Sequence, residues 1–265
     1  THPYRWPVIG VEPDHIARVT TDDAHAWHSA HYSPDKAVLS VVGNIPAERV
    51  FEMAEHWFGH IPPCPSEPRA LVDDPWPATL QVKTVYDNVP NPAIFIAYRM
   101  DPYGHRGYFA ADAITDILSA GKSARMYQRL MMGTDLFAMA QASITGSEHS
   151  GMLLLAAYLH EDTDEAIDRA MHMLIAECEQ LAEPGNVTPY ELERTKNRYE
   201  STFVFENVNT ISRAQSIALA VMHGEDVNDC VPRYRSLTLD DISSTGRRLF
   251  IDHKPAAVIF RPNKK

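Results

Sequence analysis

LFAMAQASITGSEHSGMLLLAAYLH, residues Leu136 to His160, is the stretch on which the fold turns. Two apolar runs of strand length, Phe137 to Thr145 and Gly151 to His160, flank a turn of Gly146-Ser147-Glu148-His149-Ser150. So short a connection joins antiparallel neighbours. Upstream, Phe109, Ala113, Ile114, Ile117 and Leu118 share one face of a helix from about Gly107 to Leu118. Gly121 breaks it, and a short second helix runs through Met126, Leu130 and Met131. Before these come two strands, Thr79 to Asp87 and Ala93 to Tyr98, joined at Pro90-Asn91-Pro92. Downstream, Thr163 opens a helix to about Leu181. Thr188-Pro189-Tyr190-Glu191 is a capping box with Pro at the first helical position. Helical periodicity continues to about His223, with a break at Asn207 to Asn209. Thr238-x-x-Asp241 opens another helix, and Ala256 to Phe260 is a last strand. The order β-β-α-α-β-β-α-α-α-β predicts an α+β layer, a mostly antiparallel sheet covered by helices.

Working outward to the N-terminus, Thr20 and Thr21 are N-cap candidates, with Asp22 and Asp23 at the positive end of a helix that runs to Tyr32. Ser33-Pro34 stops it. AVLSVVGN, Ala37 to Asn44, reads as a buried strand closed by Gly43-Asn44. In Pro46 to Phe58, the residues Val50, Phe51, Ala54, Trp57 and Phe58 recur at helical spacing, and Gly59 ends the helix. Residues 61–77, IPPCPSEPRALVDDPWP, hold six prolines and read as an extended linker. The expected division is therefore 1–60, an incomplete α-β-α unit; 61–77, the linker; and 78–265, a complete unit. A first unit with one strand, opening at Thr1 without Met, is expected to be the closing part of a larger one.

The chain has 265 residues, 45% hydrophobic and 22% charged, the balance of a globular protein with ample core. Its 24 basic and 35 acidic residues give a net charge of −11, which argues against nucleic acid and anionic lipid as partners. Cys64, Cys178 and Cys230 lie far apart, form no CxxC pair, and suggest neither a disulfide framework nor a zinc knuckle. Apolar runs such as Met152 to Leu159 are too short to span a bilayer.

HPYRWPVIG (His2 to Gly10), YSPDKAVLSVVGNI (Tyr32 to Ile45) and WFGHIP (Trp57 to Pro62) resemble the second half of the catalytic domain of the pitrilysin, or insulin-degrading-enzyme-like, zinc peptidases. ILSAGKSARMYQRL (Ile117 to Leu130), LFAMAQAS (Leu136 to Ser143), the helical run after Thr188 and RYRSLTLDDI (Arg233 to Ile242) resemble that family's non-catalytic repeat. The resemblance covers nearly the whole chain. It implies a pitrilysin-type repeat (the LuxS/peptidase-like fold) that forms part of a peptide-enclosing chamber and supports a catalytic half. It also implies a zinc metalloendopeptidase as the parent, with zinc bound there and not in this chain. A catalytic half or partner subunit and a peptide are the implied partners, and a bacterial periplasm or envelope the implied location. The alternative is an assembly or binding subunit of the same fold without peptidase activity.

The family's chemistry sits on HxxEH, two histidines four apart on one helix face, with the Glu polarising a metal-bound water. None of the thirteen histidines stands in that pattern; before Glu55-His56 the required His position holds Glu52. No catalytic and no metal residue is therefore expected here. The family's peptide-contacting Arg and Tyr, seven apart, fall at Met131 and Ala138, so neither residue type is kept. Substrate-binding candidates that remain are Lys122 and Arg125, cations beside Gly121 and Ser123, and Arg129, two residues from the expected Arg. His25, His28 and His31 invite a metal reading, but six residues rotate His31 about 120° from His25. Glu161, Asp162, Asp164 and Glu165 are better read as carboxylates at the start of the helix opened by Thr163. Met126, Met131, Met132, Met139 and Met152 are read as core.

Overall fold

Strands β1 (Gln81–Asp87), β2 (Ala93–Met100), β3 (Phe137–Ile144), β4 (Gly151–Leu159) and β5 (Ala256–Pro262) form one sheet in the spatial order β1-β5-β2-β4-β3. The β1–β5 pair is parallel; the β2–β4, β2–β5 and β3–β4 pairs are antiparallel. The computed structural model describes residues 2–7, 9–64, 77–146 and 148–263. Its helices are α1 (Pro13–Ala17), α2 (Thr21–His31), α3 (Ala47–Phe58), α4 (Arg106–Ser119), α5 (Asp164–Glu179), α6 (Pro189–Glu206), α7 (Thr210–Met222), α8 (Cys230–Arg235) and α9 (Leu239–Gly246). Residues 1–75 with 204–229 make one compact unit, and residues 76–203 with 230–265 make the other.

The second unit holds the whole sheet. Its order differs in one respect from a plain pair of hairpins, because the C-terminal strand β5 lies between β1 and β2. Two strand spacings of about 4.8 Å separate β1 from β2, and the Pro-containing connection bridges that gap instead of making a tight turn. Side chains alternate across β2, so Ile94, Ile96, Tyr98 and Met100 lie on the helix side, each 1% exposed or less. There they meet α4 residues spaced by three and four, Ala110, Ala113, Ile114 and Ile117, all fully buried. Ile167, Ala170, Met171 and Leu174 of α5 extend the same core. Gly121 lies just past α4 at φ +78°, a left-handed position that favours glycine. The expected short helix after it is a π-helical turn, Met126–Met131.

Capping follows the sequence closely. Thr163 caps α5, and Thr188 and Glu191 exchange bonds at the start of α6. Thr238 and Asp241 do the same for α9. The break at Asn207 to Asn209 is real, with Asn209 capping α7 through its side chain.

The first unit contains α1, α2, α3 and α7. Thr20 and Asp23 form a capping box on α2. The expected strand Ala37 to Asn44 is corrected: the segment joins no sheet among the described residues. The backbone is extended at Ala37 (φ −124°, ψ 146°), but an extended segment becomes a strand only where a neighbour takes its N–H and C=O groups. The apolar stripe of α3 is likewise open, with Phe51 70% and Trp57 62% exposed. Most of the expected linker, residues 65–76, lies outside the described residues.

A half-buried polar cluster ties α4 to α6 and α8 within the second unit. Asp112 and Asp116 stand one turn apart on α4. Arg198 Nε lies 3.6 Å from Asp116 Oδ2, while Asp112 faces Tyr234, whose ring stacks on Tyr199 at 3.9 Å and 2°. Burial pushes the Asp112 carboxyl up to about 6, the neighbouring Asp116 charge adds to this, and Tyr234 and Arg198 partly oppose it. Against the ordinary value of 3.8, folding takes up a proton, so this contribution is full below pH 3.8 and lost as pH rises through 6. Glu191 and Asp241, both held at about 2, act in the opposite sense below about pH 4.5. Urea unfolding between about pH 5 and 7 should therefore show stability falling with pH, and Asp112→Asn should flatten that slope.

Candidate functional site

The sheet face turned away from the helices is the most extended feature that could receive a ligand. Its register sets side chains in rows. One row runs Val85, Phe260, Ala93, Tyr158, Met139; the next runs Lys83, Val258, Phe95, Ala156, Gln141; a third runs Gln81, Ala256, Ala97, Leu154, Ser143. Phe95 holds the centre, edge-to-face with Phe260 at 5.9 Å and with Tyr158 at 6.4 Å. Tyr158 is 39% and Met152 46% exposed. The surface is thus apolar and aromatic, and Lys83 and Arg99 bring positive charge to it within a chain of net charge −11. Such a face can take apolar side chains of an extended chain and attract its carboxylates.

The two sheet edges differ. At β3 the Ser119 hydroxyl, on α4, accepts from the Ala142 N–H and lies 3.0 Å from the Ala142 carbonyl oxygen. With a bulge between Phe137 and Met139, this blunts β3 as a template for a further strand. Among the described residues, strand β1, at the other edge, pairs with β5 alone.

The residues singled out in the sequence do not gather at one place. Arg125 is buried, with Nε 2.7 Å from Glu191 Oε1 and its other nitrogens 2.9 and 2.8 Å from the side chain and carbonyl of Asn186. Burial alone would raise the Glu191 carboxyl, but the bonds from Arg125 and Thr188 outweigh it and hold the pKa at about 2. Arg125 thereby joins the turn after α4 to the N-terminus of α6. Arg129 bonds Glu177 at 3.0 Å and Gln180 at 2.7 Å. Lys122 is exposed, and its carbonyl accepts from Gln128. Met131 packs half-buried against the core, and Ala138 lies exposed in the β3 bulge. His31 contacts Trp27 within α2, and His28 stacks on Tyr32 just past its end. Among the described residues no group of three or more His, Cys, Asp and Glu could hold a metal ion. With HxxEH also missing, the donor set of the described residues does not fit zinc.

Sequence reasoning missed the aromatic rows. Its best signal was AIFIAYRM in β2, apolar at nearly every position, which marks a strand with two apolar faces. Which residues of the other strands join Phe95 depends on register.

Compared with known proteins, residues 18–199 match the family described as "Peptidase M16 inactive domain". The chain is 24% identical over 268 residues to the zinc protease PqqE of Helicobacter pylori, covering 98% of this chain and 59% of that protein. Its fold is similar to a peptidase M16 inactive domain structure from Pseudomonas fluorescens, with a TM-score of 0.82 at 15% identity over all of this chain and 62% of that one. It is also similar to the periplasmic protease PqqL from Escherichia coli, with a TM-score of 0.68 at 15% identity over 96% of this chain and 28% of that one. The chain spans about three fifths of the length of the curated relatives it matches first.

The Arg125 tie is open to a direct measurement. Arg125→Ala leaves Glu191 and Asn186 without their partner and should cost about 3 kcal/mol in urea unfolding. Arg125→Lys, which keeps the charge and loses the fork, should recover only part of it.

Proposed function

The chain belongs to the peptidase M16 inactive-domain family, and from that premise we propose that it forms the non-catalytic wall of a peptide-handling chamber. The catalytic half, in the same protein or in a partner subunit, supplies HxxEH and zinc. One observation carries this reading: the aromatic rows around Phe95 offer a sheet-wide surface to an extended peptide. The blunted β3 edge supports binding across the face over strand addition there. The open apolar stripe of α3 supports a further protein surface closing over the first unit, since exposed patches of this kind mark interaction sites. Among the described residues no helix is long and apolar enough to cross a membrane. The likeness to a periplasmic protease supports an envelope location as part of the same proposal.

In this reading the wall acts by binding and by size. It holds an unfolded segment through apolar contacts and two cations, and a chamber closed on this side excludes folded substrates. The test is a titration of a labelled, unstructured apolar peptide into the 265-residue chain. Tyr158→Asp and Met152→Asp place charge at exposed positions of the face, and each should weaken binding about tenfold with the thermal midpoint unchanged. Equal affinity in both variants would remove the face from the proposal. Stoichiometric zinc together with peptide cleavage by this chain alone would contradict the non-catalytic assignment.

A further inference from the structure

We propose that Asp112 and Asp116 on α4 make the α4–α6–α8 cluster a pH-sensitive clasp, closed in mildly acidic solution, on the point where the chain returns to the second unit. The chain leaves that unit after Phe203, near the end of α6, and returns at Cys230, the first residue of α8. Residues 204–229 between these points belong to the first unit, and they expose Phe205, Val208 and Ile211. Both crossing points adjoin the cluster. Tyr199 of α6 lies one turn before Phe203, with the two rings 6.3 Å apart, and its other contact is the stack on Tyr234 of α8. Whatever loosens Tyr234 from α4 and α6 therefore loosens the return of the chain.

The geometry favours a neutral Asp112. Arg198 of α6 reaches Asp116 at 3.6 Å, which leaves Asp112 to Tyr234. The Tyr234 hydroxyl is buried and makes no hydrogen bond of ordinary geometry among the described residues. An ionised Asp112 thus stands one turn from a like charge, against an aromatic stack; a protonated one removes the repulsion and brings its own O–H donor. Of the other titratable groups here, Arg194 of α6 faces Asp116, and Tyr103, Tyr108 and Cys230 face Tyr199. Asp241 of α9 is engaged by Arg106 at the start of α4. Burial and Asp116 push the Asp112 carboxyl up to about 6 in the closed clasp. Opening, which returns it to water, is therefore favoured as pH rises through 6 and gains nothing below 3.8. The end of α8 stays tied, because Arg235 bonds Asn197 at 2.7 Å and Arg106 bonds the Ser236 carbonyl at 2.9 Å. Those bonds hold whatever the state of Asp112, and they confine the opening to Cys230 through Tyr234. This device stands apart from the peptide-wall reading.

The experiment is hydrogen exchange of the 265-residue chain, read by mass spectrometry and corrected for the pH dependence of intrinsic exchange. With the carboxyl at about 6 when closed and 3.8 when open, the open fraction of α8 should rise about tenfold between about pH 5 and pH 7.5. Sub-denaturing urea separates this from global unfolding: it should speed exchange in β2 and leave α8 unchanged, because a local opening exposes little surface. Asp112→Asn, neutral at every pH, should abolish the rise in α8. Arg198→Ala removes the cation that partly offsets the two carboxylates, so it should enlarge the rise and move its midpoint to higher pH. A flat response in the unsubstituted chain would overturn the proposal. So would a rise that persists in Asp112→Asn, or exchange in α8 that follows β2 in urea.

Discussion

Strand β2 is flanked by strands on both sides and presents a different population to each face of the sheet. Ile94, Ile96, Tyr98 and Met100 go to the helices; Phe95, Ala97 and Arg99 go to the other side. A slip of one residue would exchange these sets, placing Arg99 in the core and Ile96 outside. The fit of Ile94 and Ile96 with Ala110, Ala113 and Ile114 of α4 therefore fixes the register of the central strand. Through the ladder it fixes β4, β5, and the edge strands in turn. The aromatic rows follow from that single choice, and so does the place of Val82 on the opposite face, at the β1 end of the Ile96 row and 50% exposed.

The elements of the second unit were legible because their signals are local. Thr163, Thr188 and Thr238 each sit at a helix start with a side-chain oxygen bonded to the first turn, and a capping residue can be read from a few neighbours. Tertiary pairing is a different kind of information. Nothing in Ala256 to Phe260 tells that β5 enters between β1 and β2. Nothing in Ala37 to Asn44 tells that the segment joins no sheet among the described residues. The reading of that run as a buried strand does not hold, because Leu39 is 60% and Val41 50% exposed and only a neighbour converts an apolar run into a strand.

The candidate residues divide along the same line. Arg125 was noticed for its charge, yet its charge is spent within the fold, on Glu191 and Asn186. Arg129 is similarly engaged with Glu177 and Gln180. Residues that receive little notice in a sequence, Phe95, Phe260 and Tyr158, become a surface because three strands bring them together. A sheet covered by helices on one face leaves its other face for a ligand or a partner, and here that face is aromatic with a basic component. In the function proposed above, this face is the part of the M16 inactive domain that holds the peptide.

A photo-crosslinking measurement addresses that contribution most directly. With a benzophenone side chain at Tyr158 in one preparation and at Val82 in another, a radiolabelled unfolded peptide is added to the protein that carries this chain. The account predicts adducts at Tyr158 on the aromatic face and none at Val82 on the opposite face. Adducts at Val82 alone, or at neither position while the peptide is bound, would contradict it.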